Sequence, residues 1–205
     1  MVGTYFVLEG VAVNVSISPD GRKLAATIDD QQGHGELDII SVPQLALVTK
    51  VRAPAGDWGQ FSRDGRTLLY GDLAGRTWLY DTRTWKPRGR PLAGATGPVL
   101  TVNLSPDGRM LATTSTDGTT RLWDVASRRP IGTALPGIAD HDVAAAFVEG
   151  GSHLVTVYDN GRAYLWDVRP RSWAQRACDI AGRTLTTAEW QDALPTRPYT
   201  PACGR

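Results

Sequence analysis

Apolar-rich runs of about five or six residues alternate with turn-forming clusters from the start of the chain to about residue 168. In the clearest stretch, Val99 to Leu104 is a first run, ended by Pro106-Asp107-Gly108; Met110 to Thr114 is a second, ended by Asp117-Gly118. Thr120 to Asp124 follows, and Pro130 to Leu135 makes a weaker fourth. Runs of this length, rich in β-branched residues and bounded by Asp-Gly, predict short antiparallel strands, because glycine takes the positive φ of a tight hairpin turn at no steric cost. Ala74-Gly75 and Asn160-Gly161 repeat the device elsewhere, and helical periodicity is absent from the region.

The pattern is periodic at a longer range. Leu122-Trp123-Asp124 recurs 43 residues on as Leu165-Trp166-Asp167 and 43 residues back as Leu79-Tyr80-Asp81. The turn Ser105-Pro106-Asp107-Gly108-Arg109 recurs as Ser62-Arg63-Asp64-Gly65-Arg66 and Ser18-Pro19-Asp20-Gly21-Arg22, with an eroded copy at Val148-Glu149-Gly150-Gly151-Ser152. Four units of about 43 residues result, at about 1–42, 43–85, 86–128 and 129–168, with a separate tail at 169–205. Four strands repeated at this interval and closing on Leu-Trp-Asp predict an all-β fold of propeller blades.

Period, turn and Trp-Asp ending together resemble the WD-repeat β-propeller family over residues 2–168. The resemblance implies that Asp20, Gly21, Asp64, Gly65, Tyr80, Asp81, Asp107, Gly108, Asp117, Gly118, Trp123, Asp124, Trp166 and Asp167 are structural repeat positions. Blades of that family often carry Gly-His before the innermost strand, the histidine joining an Asp-His-Ser/Thr-Trp network. Here the matching pairs are Gly94-Ala95 and Gly137-Ile138, so the full network cannot form and packing must carry more. The first unit lacks Trp-Asp, with Leu37-Asp38-Ile39 aligned to Leu122-Trp123-Asp124.

The period breaks after Val168. Ser172 is expected to cap a helix with Trp173, Ala177 and Ile180 on one face and Gly182 as its stop. Thr186 and Glu189 fit a capping box opening a second helix, with Trp190 and Leu194 at i, i+4. Tyr199 to Cys203 reads as extended. The segment Ala177 to Thr186 with Glu189-Trp190 resembles one that closes many bacterial WD-repeat proteins, which implies the C-terminal, sensor end of a larger signalling or regulatory protein.

Composition narrows the classes. The 205 residues are 41% hydrophobic and 21% charged, and 22 Lys+Arg against 21 Asp+Glu leave a net charge of +1. So balanced a chain is not built to wrap nucleic acid or hold an anionic membrane. Its longest apolar run, Val143 to Val148, is far below the roughly 20 residues of a membrane span. The opening Met1 to Tyr5 has no basic segment before an apolar core, so no signal peptide is expected and a cytoplasmic location is. The two cysteines, Cys178 and Cys203, are expected to be reduced thiols there, with pairing across the two tail helices as the alternative.

Candidate chemistry is sparse. His141, in Asp140-His141-Asp142, could suggest a metal corner, but ligands adjacent in sequence rarely point at one ion, and a solvated loop is the expectation. His153 opens a strand. No Gly-x-Ser-x-Gly and no phosphate-cradling glycine loop is present. Trp78, Trp123 and Trp166 read as packing residues. No catalytic residue, cofactor or metal is therefore assigned.

One distribution points outward. The connections between third and fourth strands carry Arg83, Lys86, Arg88 and Arg90, then Arg128 and Arg129, then Arg169 and Arg171. The opposite turns gather Asp57, Asp72, Asp117, Asp140, Asp142 and Asp159. Either the disc has one basic and one acidic face, or polar loops and turn-forming aspartates account for both sets. The expected function is a non-catalytic interaction or sensor module for a protein partner, with those arginines as candidate contacts; a propeller enzyme of hydrolase or lactonase type is the alternative. The array starts abruptly, Val2-Gly3-Thr4 aligning with Ile131-Gly132-Thr133, so it is expected to need further N-terminal blades or a second copy, closure with only four blades being the third outcome.

Overall fold

Each Asp-Gly or Asn-Gly step folds one β-prone run back on the last, and repetition of that step generates the architecture. A computed structural model describes residues 11–29, 34–138, 141–193, 198, 199 and 203. Four antiparallel sheets follow one another along the chain. The first is β1 (Val11–Ile17), β2 (Lys23–Asp29), β3 (His34–Ser41) and β4 (Ala46–Pro54). The second is β5 (Trp58–Phe61), β6 (Thr67–Gly71), β7 (Arg76–Asp81) and β8 (Leu92–Ala93), and the third β9 (Val99–Leu104), β10 (Met110–Ser115), β11 (Thr120–Asp124) and β12 (Arg129–Pro130). The fourth has three strands among the described residues, β13 (Val143–Val148), β14 (His153–Tyr158) and β15 (Ala163–Asp167).

The Ser-x-Asp-Gly-Arg turns are one structure built three times. Ser105 Oγ donates to Asp107 (2.6 Å), which accepts the Arg109 N–H, while the Met110 N–H returns to Ser105 Oγ. Ser18 with Asp20 and Ser62 with Asp64 repeat these bonds, with Gly21, Gly65 and Gly108 at φ 67–70°. Register then makes the sheets superimposable. Leu24, Leu68, Leu111 and Leu154 sit on the second strands, and across from them on the third stand Ile40, Tyr80, Trp123 and Trp166. The first unit's counterpart of Leu122-Trp123-Asp124 is therefore Ile39-Ile40-Ser41, not Leu37-Asp38-Ile39. The longer β2–β3 connection shifts the match by two residues, which a gapless alignment cannot show.

The core lies between sheets rather than within one. Leu37 and Ile39 of the first sheet pack on Phe61, Leu68 and Tyr80 of the second; Leu69 and Leu79 pack on Val99, Val102 and Leu111; Leu122 packs on Ala145 and Leu154. Full burial of each such leucine contributes about 1.5–3 kcal/mol, so every junction is a small core of its own. Trp78, Trp123 and Trp166 all belong to these clusters.

One expected strand, one cap and one helix face differ. Pro130 to Leu135 yields only β12 and an isolated bridge from Leu135 to Thr120, because Gly132 at φ 69° breaks the run. Helix α1 (Pro170–Ala181) starts before Ser172: Pro170 occupies the first helical position, where its missing N–H costs nothing. Only Trp173 of its expected face is packed, against Trp166 and Val168, whereas Ile180 is 80% exposed. Gly182 ends it in the left-handed conformation, as expected. Helix α2 (Thr187–Ala193) has its capping box, Thr186 N–H and Oγ1 bonding Glu189 and the Glu189 N–H returning to Thr186 Oγ1. Leu194 lies outside the described residues.

Cys178 and Cys203 are joined in a disulfide, which corrects the expectation of reduced thiols. The chain reverses after Gly182, Tyr199 donates its hydroxyl to Leu185 O (2.9 Å) and its ring meets Trp190 edge-on, and this brings Cys203 back to α1.

Candidate functional site

The turns between first and second strands and the connections after third strands open on one face. At the junction of the second and third sheets they enclose a groove of about 460 Å³, with Leu69, Leu79, Leu104 and Val125 as floor and Arg63, Arg88, Pro106 and Arg128 on the rim. The connections share a backbone device. Leu45, Trp85 and Arg128 each donate a backbone N–H to the carbonyl four residues back, at Ser41, Asp81 and Asp124, and each lies at φ 51–58°. No glycine marks these positions, so sequence reading passed over them.

The candidate arginines divide into two groups. Arg88 is a brace: its guanidinium bonds Asp81 (2.7 Å), Thr67 Oγ1 and the Arg66 carbonyl. Arg128 reaches back to the Arg90 carbonyl (3.1 Å), and Arg169 pairs with Asp167 (2.6 Å). These ion pairs hold the Asp81 and Asp167 carboxyls well below the usual carboxylate range, the arginine hydrogen bond being the largest cause in each. Arg83, Arg90, Arg129 and Arg171 are exposed and have no carboxylate within ion-pair distance among the described residues.

The opposite turns are less acidic at the surface than their sequence suggests. Asp72 is fully buried and accepts from the Ala74 and Arg76 N–H groups, Arg76 Nε and Trp78 Nε1. Asp117 accepts from Thr119 and from the Thr96 N–H and hydroxyl, so Thr96 bonds the aspartate in the place where the resembled network has a histidine. The tryptophan half survives as well, Trp123 Nε1 donating to Thr113 and Trp166 Nε1 to Thr156, both at 3.0 Å. Asp57 and Asp142 are exposed, Asp159 bonds His141 Nδ1 (2.6 Å), and Asp140 lies outside the described residues. His153 Nδ1 lies against Ser152 Oγ and Glu149. Among the described residues no three metal-binding side chains converge, and no helix is long and apolar enough to cross a membrane.

Comparison with known proteins bears on the sheets. Residues 85–124 match the family model of the WD domain, G-beta repeat. The crystal structure of the β-propeller domain of Cps50 (Swd1) from Myceliophteria thermophila superposes with a TM-score of 0.70 at 23% identity, over 82% of this chain and 55% of that one. The sheets are propeller blades. The chain spans about half the length of the Cps50 propeller. No curated protein matches it.

With the blades identified, the basic connections lie on one rim of the disc, and the groove is a seam between the second and third blades. Along that rim, cations stand beside an apolar seam.

Proposed function

We propose that the chain is a non-catalytic interaction or sensor module whose basic rim receives an acidic segment of a protein partner. The observation that carries this reading is the division among the arginines. Arg88, Arg128 and Arg169 stiffen the connections, while Arg83, Arg90, Arg129 and Arg171 stand on them with their charge unspent. An acidic ligand laid along the rim would meet cations that need no rearrangement, which favours fast association. In this reading the chain is the C-terminal end of a bacterial signalling or regulatory protein, supported by the resemblance of the tail from Ala177 to Trp190. A disulfide such as Cys178–Cys203 is rare in reducing compartments, so a thiol count on protein taken directly from cells tests the cytoplasmic location, reduced thiols agreeing with it.

The rim is tested with a fluorescent Glu/Asp-rich decapeptide followed by anisotropy as salt rises from about 20 to 200 mM, where the screening length falls below about 10 Å. Affinity should drop at least about tenfold over that range, and Arg83→Glu/Arg90→Glu/Arg129→Glu should abolish binding with an unchanged melting temperature. Binding indifferent to salt, or retained by the triple variant, overturns the proposal.

A further inference from the structure

Equivalent positions bury alike in all four blades except on two faces. Ile17, Phe61, Leu104 and Phe147 share one position of the innermost strand. Phe61 is 7% exposed and Leu104 and Phe147 pack into junction cores, but Ile17 is 62% exposed. Two residues earlier, Gly59, Val102 and Ala145 are buried while Val15 is 51% exposed. The mirror case is at the other end. Ile39, Leu79 and Leu122 are 0%, 7% and 3% exposed, each packed on the following blade, whereas their counterpart Leu165 is 62% exposed. Thr27 and Thr114 are 1% and 0% exposed and their counterpart Val157 is 47%.

Every junction in the chain sets the leading face of one blade against the trailing face of the next. One trailing face, on the first blade, and one leading face, on the fourth, are left open, and their exposure shows that they do not meet within the chain. Each has the residue pattern that the three existing junctions bury. We propose that two copies of the chain join head to tail, the fourth blade of each on the first blade of the other, and close an eight-bladed ring. A second copy carries both missing faces, each with the residue pattern that the other's open face lacks a partner for, and leaves none open. The two-fold arrangement closes, so it stops at two copies, and eight blades lie within the range propellers adopt. The inference is independent of the basic rim, which lies on the disc's flat side.

The full 205-residue chain is measured by light scattering across about 1–100 μM. A mass of twice 22.1 kDa is expected. Ile17→Lys and Leu165→Lys should each give monomers, since each spoils both junctions of the ring. An equimolar mixture of the two should recover a heterodimer, because one of its junctions then carries neither substitution. A second measurement does not depend on the variants folding: heavy- and light-isotope copies of the unaltered chain, mixed and cross-linked, should give heavy–light pairs joining β1–β2 to β14–β15. A 22.1 kDa monomer throughout overturns the proposal and makes additional blades in a longer protein the occupant. So do open-ended assemblies, a Leu165→Lys variant that still dimerises, or heavy–light pairs confined to β1–β2.

Discussion

Asp72 shows how much one side chain can organise. It is a fully buried carboxylate with four donors: two backbone N–H groups, Arg76 Nε at 2.7 Å and Trp78 Nε1 at 2.8 Å. Asp72→Ala strands those donors; because Arg76 is itself 40% exposed and recovers water, the loss is set at about 3 kcal/mol, the low end for a broken buried pair. The urea midpoint measures it, and an unmoved midpoint refutes it. The Ser-Asp turns make a pH prediction. Asp20, Asp64 and Asp107 are held below the ordinary carboxyl value, chiefly by the hydroxyls of Ser18, Ser62 and Ser105 and then by backbone N–H groups. A lowered folded value means that the unfolded chain takes up protons first as pH falls, so the contribution is complete above about pH 4 and disappears below it. Melting temperature should be level near neutrality and fall on acidification, and replacing all three by asparagine should lower it at pH 7 while flattening the acid limb. An equally steep acid limb in the variant would assign the loss elsewhere. These turns were legible in the sequence because all their partners lie within five residues. Thr96 was not: its bond to Asp117 spans 21 residues, and no local pattern announces it.

At the scale of elements, local chemistry again divides what could be read from what could not. The strands from Val99 to Asp124 and the capping box at Thr186 are written in adjacent residues and appear where expected. The two-residue shift in the first blade depends on a loop length, and the left-handed residues Leu45, Trp85 and Arg128 on a backbone bond that any side chain can accompany. The tail was misread for a similar reason, since Cys178 and Cys203 are 25 residues apart and no local pattern announces their pairing. A cross-link closing a loop of that length limits the freedom of the unfolded tail by about 3.5 kcal/mol at most. Reduction, or Cys178→Ser, should therefore abolish hydrogen-exchange protection in the tail and leave β1–β14 protected; loss of protection in the blades would show that the tail props the disc. Glu189 adds a separable pH effect. Its carboxyl is lowered to about 2, first by Arg183 and then by Thr186. The helical contribution of α2 should thus be full above about pH 4.5 and fade as pH approaches about 2, seen in the exchange of its amides.

Across the whole molecule, stability resides in junctions between blades, because each core is shared by two neighbours. Polar bridges reinforce the apolar contact: the Gly59 and Phe61 N–H groups donate to Asn14 and Ser16, and Asn103 donates to the Ala145 carbonyl (2.8 Å). The junction of the second and third blades adds close approach to its own bridge, from the Val99 N–H to the Asp72 carbonyl. Gly71 lies where the neighbouring blades have Thr27 and Thr114, and a Cβ there would stand 2.6 Å from Val99 Cγ1 and 2.8 Å from Val99 Cβ. Val99 is itself 2% exposed and its N–H is bonded to the Asp72 carbonyl, so it cannot step aside without opening the seam. Gly71→Ala should therefore cost about 1–3 kcal/mol as overpacking, although alanine normally stabilises a strand relative to glycine. Because repeat arrays couple only through nearest neighbours, the damage should also split the melt. The first two blades and the last two should unfold in separate steps, with a calorimetric enthalpy exceeding the van't Hoff value. Gly71→Ala/Val99→Gly, which removes both the Cγ1 and the Cβ that the new methyl would meet, should restore a single transition at reduced stability. A single sharp transition in Gly71→Ala itself would show that the blades are coupled by more than the seam between them.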